Sequence, residues 1–154
     1  MMTTTTDLHL MEQALALGTA AKENGNEPFG AILVKDSHVV KLGRNQIHTE
    51  TDPTNHAELG LIRDFCRETG LMDLSDYTLY TSCEPCCMCA GAMVWAKLGK
   101  LRYSVSHDQL AEIAGANIML SSADVFAKSP HAPEVHGGLL QAAGLELLKS
   151  YAWD

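Results

Sequence analysis

The chain has 154 residues, 46% of them apolar and 19% charged, with five cysteines and a formal net charge of −8. That length and apolar content suit a single domain, residues 1–154, that buries a core without disulfides, and a net negative surface with no Lys/Arg cluster argues against a nucleic-acid partner and leaves small neutral molecules open. Four cysteines crowd into Cys83 to Cys89, unlike a disulfide framework; no run nears the roughly 20 apolar residues of a membrane span and Met1 to Thr6 carries no secretory signal, so a cytoplasmic protein is expected.

Residues 1–6 are expected to be disordered. From Asp7, the spacing of Met11, Ala14, Leu15, Gly18 and Ala21 predicts an amphipathic helix ended by Asn24-Gly25. Phe29 to Val34 and His38 to Leu42 read as an antiparallel hairpin turning at Lys35-Asp36-Ser37, and a polar loop with Asn45 follows. Asp52-Pro53-Thr54-Asn55 then feeds a second helix with His56 in its first turn and Leu59, Ile62, Phe65 and Cys66 on one face, stopped by Gly70. Tyr77 to Thr81 is the next strand. Pro85 is placed as the first residue of a third helix, where its missing N–H costs nothing. Leu101 to Val105, reached by a helical crossover, should lie parallel to the strand before it. Leu110 to Leu120 is expected to be helical and Ser121 to Pro133 a loop with an apolar patch at Val125-Phe126. Glu134 to Gly138 reads as a short last strand, and Leu139, Ala142, Ala143, Leu147 and Leu148 mark a closing helix. The sum predicts a three-layer α/β/α domain with a mixed sheet.

The chemistry-bearing pattern is Asn55-His56-Ala57-Glu58 together with Ser82-Cys83-Glu84-Pro85-Cys86-Cys87-Met88-Cys89. His56, Cys86 and Cys89 supply the borderline and soft donors of a catalytic zinc that keeps a position open for water. Glu58 is spared from ligation. A carboxylate beside a metal-activated water takes its proton and passes it to a leaving amine; alternatively, Glu58 closes a capping box with Asn55 and does no chemistry. Cys87 points about 100° around the helix from Cys86 and is assigned to packing. Two other uses of the cysteines stay open: a redox pair, since Cys83/Cys86 and Cys86/Cys89 have thioredoxin-type spacing, and a closed structural zinc site of Cys83, Cys86, Cys89 and His56.

These motifs, with Pro28-Phe29-Gly30-Ala31, Asn45, Asp52-Pro53-Thr54, Leu79-Tyr80-Thr81, Ala90-Gly91-Ala92 and Trp95-Ala96, resemble the cytidine/deoxycytidylate deaminase superfamily, in the branch of bacterial guanine deaminases and tRNA adenosine deaminases. The likeness covers about residues 8 to 106. It implies a five-stranded mixed sheet between helices, a homodimer, one Zn2+ per chain held by His56, Cys86 and Cys89, and Glu58 as proton shuttle. It also implies a base contact from Asn45 and one from the Ala57 amide to the ring carbonyl. Phe29 and Trp95 fit stacking walls for a planar base or, equally, core positions, Asn45 on its own reads as a turn residue, and His107 and Asp108 stand where guanine deaminases place further substrate groups. His131 and His136 are expected on the surface or in a loop. The expected activity is hydrolytic deamination of a small nucleobase, guanine first. Cytosine or another small aminated heterocycle or nucleoside, tRNA adenosine, and a zinc-binding module without turnover are the alternatives.

Overall fold

The computed structural model describes residues 2–154. They run α1 (Thr5–Glu23), β1 (Gly30–Lys35), β2 (His38–Arg44), α2 (Ala57–Thr69), β3 (Thr78–Cys83), α3 (Cys87–Trp95), β4 (Lys100–Val105), α4 (His107–Ala114), α5 (Ser122–Ala127), β5 (Glu134–His136) and α6 (Gln141–Lys149). The strands form one five-stranded sheet in the order β2-β1-β3-β4-β5. β1 is antiparallel to both β2 and β3, while β3–β4 and β4–β5 are parallel, so the sheet is mixed as expected. The hairpin turn is made by Asp36 and Ser37, both at positive φ (51° and 64°), which matches the right-handed twist of the strands it joins.

Alternating residues of β1 serve two cores. Ile32 and Val34 face Leu10, Met11 and Ala14 of α1, with Tyr80 of β3 and Leu139. Ala31 and Leu33 belong to the opposite core, with Leu61, Ile62 and Phe65 of α2, Ala90 and Met93 of α3, and Phe126 of α5. α6 packs beside α1, completing the three layers. A third cluster, Cys83, Val105 and Leu148 with Phe29, Leu110, Ile113 and Trp153 against it, sits at the carboxyl ends of β3 and β4. α1 lies close to β1: a Cβ at Gly30 would run into the Ala14 carbonyl and the Gly18 amide, so Gly30 is required by backbone-to-backbone approach, while a Cβ at Gly18 would meet the Leu147 side chain at 2.9 Å and the Pro28 carbonyl at 3.1 Å.

Several boundaries differ from expectation for local reasons. α1 begins at Thr5, because Thr4 caps it: the Asp7 amide donates to Thr4 Oγ1 and the Thr4 amide to Asp7 Oδ2, each at 3.0 Å. Part of the segment expected to be disordered is therefore a helix cap, and Asp7 is its reciprocal partner. Pro85 precedes the α3 cap, which is Cys86, so the helix starts at Cys87. α4 starts earlier than Leu110, on the Ser106–Gln109 capping box, and ends at Ala114, where Gly115 turns away at φ 92°. Ser121, expected in a loop, caps the short α5 by accepting from the Asp124 amide.

Candidate active site

His56 and Cys86 occupy equivalent places, each the N-cap of its helix in an extended conformation. Two helix N-termini, with their partial positive charge, thus converge on one point. His56 Nδ1 lies 3.5 Å from Cys86 Sγ and 3.7 Å from Cys89 Sγ. The three donor atoms all fall within 4.8 Å of one another, the one such group of metal-ligating side chains found among the described residues. Zinc bonds of about 2.3 Å to sulfur and 2.0–2.1 Å to nitrogen place tetrahedral S and N donors about 3.5 Å apart, so the trio fits zinc in both chemistry and span. Cys83 is buried outside this group, which argues against the closed four-ligand site. Cys87 lies outside it too, half-buried on another side of α3.

The electrostatics single out two groups. Cys86 is held down to about 4, first by the hydrogen bond from the Cys89 thiol, against burial, and then by His56; the Cys89 thiol is pushed up by the same shared bond and by burial. His56 is raised, chiefly by its hydrogen bond with Cys86. Glu58, only 6% exposed, is pushed up to about 7 by burial first and by the neighbouring Cys86 second. The alternative capping role for Glu58 does not form: His56, not Asn55, is the N-cap, and no side chain caps α2.

His56, Glu58 and Cys86 line one side of a cavity of about 550 Å³. Phe29, His107 and the residues from Ala114 to Ile118 form other walls, and the C-terminal residues Tyr151, Trp153 and Asp154 of the same chain close it. Phe29 and Trp153 pack against each other, their ring centroids 6.0 Å apart and their planes tilted by 48°.

Each expected substrate residue has a definite place. Asn45 is 1% exposed; its amide donates to the Phe29 carbonyl, its Oδ1 accepts from the Ile47 amide at 3.2 Å, and its Nδ2 has no protein partner. Ala57 is fully buried as the first residue of α2, where its N–H has no carbonyl to bond within the helix. His107 is buried in the wall, with its Nε2 against the Ile118 carbonyl at 3.0 Å. Of the six expected substrate residues only Phe29 and His107 line the cavity; Asn45 and Ala57 are buried outside its lining, and two others point to solvent. Trp95 is 86% exposed and absent from the cavity: Met93 faces the core, and two residues further turn the side chain about 200° around the helix. Asp108 is exposed in the first turn of α4, beside the residue that does face the cavity. Neither His131 nor His136 reaches the cavity; His131 Nε2 instead meets the Leu98 carbonyl at 2.9 Å. Glu27, His48, Glu84, Tyr151, Trp153 and Asp154 line it without having been singled out by sequence. An acid before Pro28-Phe29 and a paired Tyr/Trp after the last helix were the signals available.

Residues 4–105 match the family described as "Cytidine and deoxycytidylate deaminase zinc-binding region". Guanine deaminase from Bacillus subtilis is 47% identical over 85 residues, 55% of this chain and 54% of that protein, so this match spans about half of its length. A tRNA-specific adenosine deaminase from Agrobacterium fabrum is 34% identical over 143 residues, covering 93% of this chain and 91% of the relative. A solved structure from studies of A-to-I editing by tRNA:A34 deaminases superposes with a TM-score of 0.79 at 33% identity, over 90% of this chain and 98% of that one.

Proposed function

The chain belongs to the cytidine and deoxycytidylate deaminase family, zinc-binding enzymes of hydrolytic deamination, and on that premise we propose that its substrate is a small free nucleobase, guanine first. The observation that carries the reading is the buried Glu58 beside the His56/Cys86/Cys89 trio in the wall of a cavity of about 550 Å³. That volume lies in the range of small-molecule sites.

His56, Cys86 and Cys89 hold the zinc, which when bound activates a water for attack on the amine-bearing ring carbon. Glu58 accepts a proton from that water and delivers it to the exocyclic nitrogen, the C–N bond breaks, and ammonia leaves while the ring keeps the oxygen. Its burial suits both halves of this task, because a carboxyl near neutrality gives and takes a proton with little cost. The contacts of the unpartnered Asn45 Nδ2 and of the Ala57 N–H to ring acceptors rest on the family resemblance, since neither residue belongs to the cavity lining. Phe29 and Trp153, packed against each other in the cavity wall, offer an aromatic surface to one face of the base, so that Trp153 takes the place expected of Trp95. Glu27 and Asp154, carboxylates on the wall, suit the N–H donors of an unsubstituted base. The chain acts as a single domain, and family resemblance carries the further proposal of a cytoplasmic homodimer, for which light scattering should read twice the 16.7 kDa chain mass.

Guanine ranks first because the guanine deaminase relative has the higher identity, 47% over 85 residues against 34% over 143 for the tRNA-specific adenosine deaminase. Editing of tRNA adenosine is the second reading, favoured by matches that run nearly the full length of the chain; the net charge of −8 weighs against it. The test is ammonia release by the zinc-loaded protein from guanine, cytosine, isocytosine, adenine, their nucleosides and a tRNA anticodon stem. Guanine should be fastest, and release from the tRNA stem alone would reverse the ranking.

A further inference from the structure

Glu84 stands two residues before the ligand Cys86, and the deamination chemistry leaves it without a task. Its backbone amide donates to the Val105 carbonyl at 2.7 Å, fixing it at the point where β3 and β4 end together. Its carboxylate is used completely. Oε1 accepts from the His107 amide at 2.9 Å, and Oε2 accepts from the Ser122 amide at 3.1 Å and the Ser122 hydroxyl at 2.5 Å.

His107 is the first residue of α4 and Ser122 the first of α5, so both donated amides are first-turn groups that a helix cannot satisfy for itself. One carboxylate therefore gathers the starts of two helices that are fifteen positions apart in sequence. The stretch between them, after α4 ends, is the irregular wall Gly115 to Ile118 of the cavity. Its remaining tie is the His107 ring on the Ile118 carbonyl, and His107 is itself held by Glu84. Apolar packing seats the helices themselves, Leu110 and Ile113 of α4 on the Cys83/Val105 cluster and Phe126 of α5 in the core, while the polar ties of both helix starts to the metal-bearing loop run through the one side chain of Glu84.

We propose that Glu84 is a positioning residue that docks the 107–122 segment against the metal-bearing loop and so sets the width of the substrate cavity, without touching the reacting atoms. This rests on the deaminase reading for its kinetic consequence alone; the docking itself is readable without any substrate. A glutamine in its place keeps the shape but offers one acceptor oxygen, and its NH2 would face the His107 or the Ser122 amide, donor against donor. It also removes the negative charge that both helix starts favour.

The experiment compares Glu84→Gln, Glu84→Asp and Ser122→Ala with the parent protein by zinc content, amide hydrogen exchange and steady-state kinetics. Glu84→Gln should keep one zinc per chain, exchange faster over residues 107–122 while β1, β3 and α2 stay protected, and raise KM about tenfold with a much smaller fall in kcat. Glu84→Asp, one methylene short, should reach one helix start at a time and behave similarly. Ser122→Ala removes a single contact and leaves the metal loop intact, so it should move the same segment and KM less far; it also decides the matter if the Glu84 variants fail to fold. Unchanged protection at 107–122 in the folded variants, loosening spread evenly over the chain, or a fall in kcat at constant KM would each overturn the assignment. If no substrate is turned over by the parent protein, the function is wrong, and the exchange pattern alone still decides the role of Glu84.

Discussion

Two walls of one cavity are built by different rules. The metal wall comes from two helix starts: His56, Glu58, Cys86 and Cys89 lie in two runs of four residues or fewer, each carried by the first turn of a helix. The facing wall is gathered from Glu27 and Phe29, the turn after α4, and the final Tyr151, Trp153 and Asp154. None of these pieces touches its neighbours in sequence. Chemistry is encoded locally because ligand geometry demands rigid, closely spaced donors. The facing wall, by contrast, is a tertiary product of segments far apart in sequence.

Substitutions that separate the walls rank as follows. Glu58→Ala should cut turnover by about a thousandfold or more while metal analysis still finds one zinc per chain; an active variant would remove Glu58 from the mechanism. Cys86→Ser or Cys89→Ser should lose the metal and lower the thermal midpoint by roughly 5–10 °C, since metal binding and folding are coupled. On the facing wall, Trp153→Ala should lower kcat/KM about tenfold through KM, as expected when an aromatic contact worth about 1 kcal/mol goes, whereas Trp95→Ala should leave it within about twofold. Equal losses at the two tryptophans would erase the distinction between walls.

Away from both walls, Asp7→Ala should cost about 1 kcal/mol at pH 7, measured by denaturant unfolding, because it breaks the α1 capping box. Burial works to raise the Asp7 carboxyl, but hydrogen bonds from Tyr80 and Thr4 outweigh it and hold the group below its usual 3.8. A depressed value means that its stabilisation is complete above the ordinary carboxylate range and is lost as pH falls through the lower folded value. The difference between Asp7→Ala and the parent should therefore shrink below pH 3.8. Cys87→Ala should have the smallest effect, keeping stoichiometric zinc, and loss of metal there would overturn the choice of ligands.

The β1–β2 hairpin, the parallel β3–β4 crossover and the ligand trio follow from patterns a few residues long: an apolar run in β1, the Asp36-Ser37 turn, and a cysteine pair three apart at a helix start, whereas the strand order is set by tertiary packing. Where the pattern is weak, tertiary bonds decide. Trp95 and Trp153 look alike as sequence, and only the phase of Met93 in the core separates them. Leu110 to Leu120 reads as one helix because its apolar residues run on past Gly115, yet Ile118, Met119 and Leu120 are exposed beyond the helix end. Glu84 was hidden among the cysteines, since its partners lie 23 and 38 residues away.

The contact between Gly30 and α1 reaches further than packing. Gly30 also donates its amide to Ser82 Oγ at 3.0 Å, so its backbone is clamped between a helix and the strand that leads to the zinc loop. Phe29, the residue before it, inherits that position. α1 therefore works as a shim: its distance from β1, set by the missing side chain at Gly30, fixes the backbone that carries Phe29 into the cavity wall. A methyl group added at Gly30, on the far side of the strand, would press on the α1 backbone and be felt at the cavity wall through Phe29.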